Sequence, residues 1–284
     1  MDRHPPKPAR RGLILLGIGL LGILAAFLLG LGPGGLVPNA GGLELARRFF
    51  AAALEPAWTR EAASLAPHSA PFLVELAHAA LRTLVFAAAA MSLSILVGLP
   101  LGIVASDTWW RRSSFAASRI TPAARALQVG VRLWIALMRS VHELIWAVVL
   151  LAAMGLNTFG AVLAIAIPYA GTLAKVFSEM LDEAPRHSAK ALEGIGVRPL
   201  GVFLFGLVPR ALPDMIAYTA YRFECAVRSA AVLGFFGYPT LGYHLSLSFG
   251  DGRFHEAWTT IYLLLALILF LEWWSTAIRR RLVS

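Results

Sequence analysis

The sequence predicts an all-α integral membrane protein with about six transmembrane helices. Of its 284 residues, 58% are hydrophobic and only 14% are charged, a balance that ordinary water-soluble domains do not have. Several uncharged runs are long enough to cross the roughly 30 Å hydrocarbon layer of a bilayer. A single cysteine, Cys225, excludes a disulfide framework or a site with several thiolate ligands within one chain. The order of the spans follows from the positions of the uncharged runs.

The first two predicted spans each occupy one uncharged run. Residues 13–31 follow a basic flank, as the apolar region of a secretory signal peptide does. The run is longer than the apolar region of a usual signal peptide, and no convincing cleavage site follows it. We therefore expect an uncleaved first helix. Residues 83–106 form the second span, and Gly98, Pro100 and Gly102 lie near its end, where a helix can bend or finish.

The third and fourth predicted spans share the uncharged run 144–174, which is too long for one helix and is divided by a turn at 155–160. We place the start of the fifth span near Ala211. The glycine-rich and proline-containing residues 237–250 then form a re-entrant or outer segment. Residues 257–271 complete the set of six spans, and tryptophans near both ends of this run can anchor it at the interfaces.

The distribution of Lys and Arg predicts the orientation. Of the 25 Lys and Arg residues, fifteen lie in the two termini and in the loops on the same predicted side, whereas four lie on the opposite side. Because cytoplasmic loops carry the excess of Lys and Arg, both termini are expected in the cytoplasm. The outer piece, residues 32–71, is expected to hold an amphipathic surface helix around residues 43–54. Six further cations fall within or at the ends of predicted helices: Arg82, Arg132, Arg139, Lys175, Arg222 and Arg228.

Charged residues within membrane helices cost roughly 2.5 to 3.5 kcal/mol each, so they need a partner, water or a function. Three predicted helices each carry an ion pair at four-residue spacing, which places both members on one helix face. The pairs are Arg139 with Glu143, Lys175 with Glu179, and Glu224 with Arg228. Neutralisation alone explains the Lys175 pair, because its side chains are close enough to the cytoplasmic end to reach the interface.

The fifth span differs because Arg222, Glu224 and Arg228 leave a net positive charge inside one helix. Two guanidinium groups and one carboxylate favour a water-filled path for an anion, since guanidinium forks match phosphate-like oxygens. The alternative is a structural network of both arginines with Glu143 and Glu224 that only fixes helix packing. The candidate substrate-pathway residues are Arg139, Glu143, Arg222, Glu224, Arg228 and Ser229.

Several enzymatic functions are excluded by missing motifs. None of the three lysines lies in the Gly-Lys-Ser or Gly-Lys-Thr context of a nucleotide-binding loop. The zinc-protease motif is incomplete because Trp146 occupies the position of the second histidine ligand after His142 and Glu143. The histidines show no ligand spacing, so we expect no metal site. The basic residues follow membrane sidedness, which argues against nucleic-acid binding.

About residues 182–210 form the loop between the fourth and fifth spans. Its sequence predicts a short surface helix with Pro185 in its first turn and glycines that end it sharply. It resembles the coupling loop of permease subunits of binding-protein-dependent ABC importers. The residues that match this loop's spacing are Lys190, Ala191, Leu192, Gly196 and Pro209. Lys190 replaces the glutamate that is usual in this pattern.

A more specific resemblance follows at Tyr221-Arg222-Phe223-Glu224 and continues through Val227 to Gly234, where the sequence is similar to the phosphonate importer permease family, including its phosphite relatives. Tyr238-Pro239-Thr240 replaces the glycine-rich stretch that is usual in this family. The resemblance covers about residues 72–278 and implies a permease domain with a type I, methionine-permease-like core. Residues 1–71 would then be the N-terminal tail, first helix and periplasmic segment, and residues 279–284 a cytoplasmic tail.

This resemblance implies a multi-pass inner-membrane permease that is not itself an enzyme. Its expected partners are a second permease copy, two cytoplasmic ATPase subunits that bind the ATP, a periplasmic solute-binding protein and membrane lipid, with no cofactor in this chain. The expected cargo is phosphonate or a related small phosphorus oxyanion. Two alternatives stay open: an ABC permease for another small solute, such as an amino acid, and an ATP-independent channel or carrier.

Overall fold

The computed structural model confirms the all-α fold. It describes residues 8–32, 39–60, 71–110 and 121–282, and every regular element within these ranges is helical. The chain divides into two compact units, Met1–Leu54 and Glu55–Ser284. In chain order the helices are α1 Pro8–Leu28, α2 Ala40–Ala52, α3 Phe72–Ala105, α4 Asp107–Trp110, α5 Pro122–Ser140, α6 Glu143–Met154, α7 Thr158–Glu183, α8 His187–Gly194, α9 Pro199–Val202, α10 Val208–Val232, α11 Leu241–Gly250 and α12 Phe254–Leu282.

The first unit contains α1 and α2. The apolar part of α1, Gly12–Leu28, is shorter than the predicted span because the helix stops at a turn in which Gly30 has φ of +64°. Helix α2 confirms the helix predicted around residues 43–54 and begins earlier, at Ala40. Asn39 starts it, since the side chain accepts a hydrogen bond of 2.6 Å from the backbone N–H of Gly42.

Four helical segments of the described residues are long and apolar enough to cross a membrane: Phe72–Ala105, Thr158–Glu183, Pro199–Phe236 and Phe254–Ala277. Helices α5 and α6 pass the same test as a pair, bent by 88° at Val141 and His142. This corrects the predicted third span. The uncharged run that predicts the third span starts at residue 144, whereas α5 already begins at Pro122.

The other spans also extend beyond the uncharged runs that predicted them. Helix α3 begins eleven residues before position 83, and α7 continues past residue 174 to Glu183. The fifth span begins at Pro199 rather than near Ala211, with a π-helical turn at Phe203–Leu207 leading into α10. Charged residues can end a membrane-spanning stretch without ending the helix, so uncharged runs underestimate helix length.

Helix α7 is the centre of the second unit and packs on α3, α5, α6 and α10. Its inward faces carry many small side chains, among them buried Ala164, Ala170 and Ala174. Helix α3 approaches closely here: a Cβ atom on Gly98 or Gly102 would lie 2.9 Å from the carbonyl oxygen of Ala170 or Ala174, respectively. These α3 glycines therefore allow helix contact, and Pro100 between them does not interrupt the helix.

A 3₁₀ turn, Leu233–Phe236, precedes the predicted outer segment, and the segment itself contains α11, which packs on α12 and α3. The backbones of the turn and of α11 nearly touch. A Cβ on Gly234 would lie 2.0 Å from the amide nitrogen of Tyr243, and a Cβ on Gly242 would lie 2.0 Å from the carbonyl oxygen of Ala231. The buried Thr83 hydroxyl of α3 accepts a hydrogen bond of 3.1 Å from the Leu241 amide, which holds α11 in place.

Candidate functional site

Helix α10 places an ion pair in the interior of the second unit. The predicted pair of Glu224 and Arg228 is confirmed, with Nη2 of Arg228 donating to Oε1 of Glu224 at 2.5 Å. The Glu224 side chain is 8% exposed and that of Arg228 is 50% exposed. The carboxylate is therefore compensated in the interior, while its arginine partner keeps an accessible face with further N–H donors.

A hydrogen-bond chain joins α10 to two neighbouring helices. The Ser229 hydroxyl donates to Oε1 of Glu143 on α6 at 2.8 Å. The Tyr169 hydroxyl of α7 lies 3.1 Å from the same serine oxygen, and it is the donor because the serine proton is directed at the carboxylate. These hydrogen bonds satisfy three buried or half-buried polar groups at one junction and hold α6, α7 and α10 together.

Arg222 is the charged residue without a carboxylate partner at this junction. Among the described residues, no Asp or Glu lies within ion-pairing distance of it. Its guanidinium carbon lies 5.2 Å from the ring centroid of Tyr169 and 5.7 Å from that of Tyr218. The Nε atom is buried and lacks a hydrogen-bond acceptor within the described part of the chain. Aromatic faces stabilise a cation without neutralising it, so Arg222 keeps its full attraction for an anion.

The predicted pairing of Arg139 with Glu143 on one helix face is wrong. The chain bends at Val141 and His142, so Arg139 ends α5 while Glu143 begins α6. The His142 side chain helps to start α6, since its Nδ1 accepts a hydrogen bond from the Leu144 amide at 3.3 Å. Glu143 faces Ser229, whereas Arg139 lines a separate cavity between α5 and α7.

Two other predicted features are present. Lys175 and Glu179 form the expected ion pair at 2.6 Å on α7, and both side chains are exposed. The loop after α7 contains the expected short helix, α8, and Gly196 follows it with φ of +84°. Pro185 precedes this helix rather than lying in its first turn. No group of three or more His, Cys, Asp or Glu residues within the described ranges is placed to hold a metal ion.

Helix α8 docks against the segment that leads into α10. Ala189 is fully buried, and a Cβ on Gly206 would lie 3.0 Å from its Cα. Leu192 packs against the main core, and the Val197 amide donates to the Leu192 carbonyl. The other residues matched to the coupling pattern, Lys190, Ala191 and Pro209, are exposed. Thus one side of α8 contacts the protein and the other is free.

Sequence reasoning missed the aromatic neighbours of Arg222. Tyr218 lies four residues before it on α10, a spacing that places both on one face and could have indicated the contact. Tyr169 lies on another helix, and nothing in its local sequence indicates that it meets Arg222 and Ser229. Ser229 itself belongs to the predicted set, but its two partners come from α6 and α7.

Comparisons with known proteins agree with this architecture. The chain is 32% identical to the phosphite transport system permease protein HtxE of Stutzerimonas stutzeri over 176 residues, which are 61% of this chain and 67% of that protein. It is 30% identical to the phosphate-import permease protein PhnE of Mycolicibacterium smegmatis over 210 residues, 74% of this chain but only 37% of that protein. The match therefore spans little more than a third of that second relative.

The fold is similar to that of the inward-facing MetNI methionine ABC transporter, with a TM-score of 0.63 at 20% identity, covering 75% of this chain and 99% of the solved chain. Residues 98–284 match the family described as the binding-protein-dependent transport system inner membrane component. This match covers most of the chain, including α5 to α12. The chain belongs to this family of inner-membrane transport components.

Proposed function

We propose that the chain is the membrane-spanning subunit of an ATP-driven importer for a small phosphorus oxyanion such as phosphonate, phosphite or phosphate. The names of the two relatives support this cargo, since one refers to phosphite transport and the other to phosphate import. The sequence carries no nucleotide-binding loop, so ATP is hydrolysed by a separate subunit. This chain then supplies the path and no catalytic group.

The surroundings of Arg222 are the observation that supports the proposal most strongly. Arg222 carries a guanidinium with no carboxylate partner among the described residues, held between two tyrosine rings and with a buried Nε donor that lacks an acceptor. A buried polar atom without a partner is rare in folded proteins and needs an explanation. An oxyanion in the path would accept from the other N–H groups of this half-buried guanidinium and neutralise its charge in a region of low dielectric constant, where both interactions are strong.

Arg228 provides a second, weaker attraction in the same path. Because Glu224 already compensates its charge, Arg228 can offer N–H donors to an oxyanion without adding a full unpaired charge. A transport path requires binding that is strong enough to admit the ion and weak enough to release it. One unpaired and one paired guanidinium meet this requirement better than two unpaired ones.

We further propose a complex of two copies of this chain, two cytoplasmic ATPase subunits and a periplasmic binding protein, with both termini of the chain in the cytoplasm. The exposed side of α8 would enter a groove of the ATPase. Closure of the ATPases on ATP would move α8, and the close contact at Ala189 and Gly206 would transmit this movement to α10. The permease helices would then rotate as rigid bodies around Arg222.

Ligand-stimulated ATP hydrolysis by the reconstituted complex tests this proposal. The complex is placed in liposomes with its binding protein, and hydrolysis is measured with phosphite, methylphosphonate, phosphate and methionine. We expect stimulation by at least one of the three phosphorus oxyanions, to several times the basal rate, and none by methionine. Stimulation by methionine alone would overturn the proposed cargo. Transport in liposomes that contain only this chain would instead indicate an ATP-independent carrier.

A further inference from the structure

A basic cavity lies between α5 and α7, away from Arg222. Its volume is about 650 Å³. Three cations from the two helices line it, and the end of α3 closes one side at Ala105. The cations are Arg132, Arg139 and Lys175. None of the groups around Arg222 lines this cavity, so the two places are separate.

The arginines of α5 share one face of the helix. Arg125, Arg132 and Arg139 follow one another at intervals of seven residues. Seven residues make nearly two helical turns, with a drift of only about 20° per interval, so the three side chains form one stripe along α5. Only the last two line the cavity. The stripe therefore contains two arginines inside the cavity and one, Arg125, outside it.

Close helix contact fixes the walls of the cavity. A Cβ on Gly171 of α7 would lie 2.8 Å from the Cβ of Met138 and 3.2 Å from the amide nitrogen of Arg139. Lys175 lies one turn further along α7 than Gly171. The contact at Gly171 therefore places the Arg139 backbone close to the turn of α7 that carries Lys175.

Other groups already occupy the two carboxylates that line the cavity. Glu179 pairs with Lys175 at 2.6 Å. Asp182 accepts hydrogen bonds from the Ser106 hydroxyl at 2.7 Å and from the Thr108 amide at 2.8 Å, as well as from the Asp107 amide. The Asp182 carboxylate therefore serves to hold the short helix α4, and its charge is directed at backbone N–H groups.

The charge of Arg139, unlike that of Arg132, is not neutralised by a carboxylate of the described residues. Arg132 reaches the carboxylate of Asp107 at 3.1 Å and donates from Nε to the Ala105 carbonyl at 2.9 Å. In contrast, no carboxylate of the described residues lies within ion-pairing distance of Arg139. The cavity thus combines one unpaired guanidinium with two paired cations that have further N–H donors, an arrangement that suits a tetrahedral oxyanion.

We infer that this cavity binds a phosphate-type anion through Arg139, with Arg132 and Lys175 as supporting donors. The inference rests on the proposed function only where the anion is the transported ion; the headgroup of an acidic phospholipid has the same chemistry. The cavity lies at the end of α7 that continues into α8. A free ion bound here would occupy a second binding site in the path, on the α8 side of Arg222.

Equilibrium binding of radiolabelled inorganic phosphate to the full chain in neutral detergent tests the inference. All proteins carry Arg222→Gln, so that the site proposed above does not contribute. We expect Arg139→Gln to weaken phosphate binding by about tenfold or more. Arg125→Gln should leave it unchanged, because Arg125 lies on the same stripe outside the cavity. Arg139→Lys should retain most of the binding, which separates loss of charge from loss of folding.

A parallel arm identifies a lipid source. The same proteins are placed in nanodiscs of phosphatidylcholine with or without phosphatidylglycerol, and the retained lipid is measured by native mass spectrometry. Phosphate binding that depends on Arg139 supports a free-anion site, and phosphatidylglycerol retention that depends on Arg139 supports a headgroup site. Equal binding by the Arg139→Gln protein and its parent in both arms would overturn the inference, as would an equal loss in Arg125→Gln. Failure of oxyanion-stimulated ATP hydrolysis with Arg139-dependent binding intact would count against the proposed function alone.

Discussion

Gly242→Ala and Gly234→Ala are each expected to prevent accumulation of the folded permease. The added Cβ would lie 2.0 Å from the Ala231 carbonyl oxygen in the first variant and 2.0 Å from the Tyr243 amide nitrogen in the second. Both obstacles are backbone atoms, which cannot rotate away as a side chain can. Overpacking of this kind costs about 3 kcal/mol or more, a large part of the stability of a typical protein.

The measurement is fluorescence-detected size-exclusion chromatography of detergent-solubilised protein before and after heating. Gly250→Ala is the matched control, because it lies in the same helix, α11, and a Cβ there meets no atom within 4 Å. We expect a monodisperse, heat-resistant peak from the control and little or none from the other two variants. A wild-type melting curve for Gly242→Ala would show that α11 does not approach the end of α10 as closely as described.

Gly206→Val is expected to abolish the stimulation of ATP hydrolysis by the ligand while the chain still folds. The Cβ would lie 3.0 Å from the Cα of Ala189, and the two valine methyl groups would push α8 away from the turn that leads into α10. The clash displaces the α8 edge of the core, whereas the contacts of α7 with α3, α5, α6 and α10 are not touched. We expect ligand-stimulated ATP hydrolysis by the reconstituted complex to fall by about tenfold or more.

Gly250→Val is the control for this substitution, since it adds the same side chain in open space. The amount of ATPase that co-purifies is measured alongside the hydrolysis rate. Normal stimulation in Gly206→Val would contradict the proposed role of the Ala189 contact. Loss of stimulation in both Gly206→Val and Gly250→Val would do so as well, because the effect would then not depend on α8.

Features that depend on neighbours along the chain could be predicted from the sequence. The ion pairs Lys175–Glu179 and Glu224–Arg228 form as expected because four-residue spacing determines which side chains meet on a continuous helix. The surface helix α8 and its glycine exit follow from local residues in the same way. Hydrophobic composition was sufficient to predict an all-α membrane protein.

The same rules failed where a helix carried regularly spaced charges or ended unexpectedly. No uncharged run covers α5, because Arg125, Arg132 and Arg139 interrupt the apolar sequence along it, although all three share one face. The pair of Arg139 with Glu143 was wrong because four-residue spacing has meaning only within one helix. The break between them depends on Val141 and His142, whose local signal is weak.

Contacts between distant helices could not be predicted. Tyr169 is 53 positions from Arg222, and their approach depends on the packing of α7 against α10. Similarly, residues 237–250 predicted only an irregular segment, whereas Gly234 and Gly242 allow two backbones to cross at short distance. A single sequence specifies such contacts only through the complete fold.

Phosphite uptake by the reconstituted complex with wild-type or Arg222→Gln permease tests whether Arg222 lies on the transport path. Uptake into proteoliposomes is measured at several phosphite concentrations, with basal ATP hydrolysis recorded in the same vesicles, and Arg47→Gln on α2 as the control for loss of one exposed cation. We predict that Arg222→Gln reduces phosphite uptake by about tenfold or more at low concentration, with basal hydrolysis retained, and that Arg47→Gln behaves as wild type. Equal phosphite uptake by wild type and Arg222→Gln would show that Arg222 does not act on the transported anion.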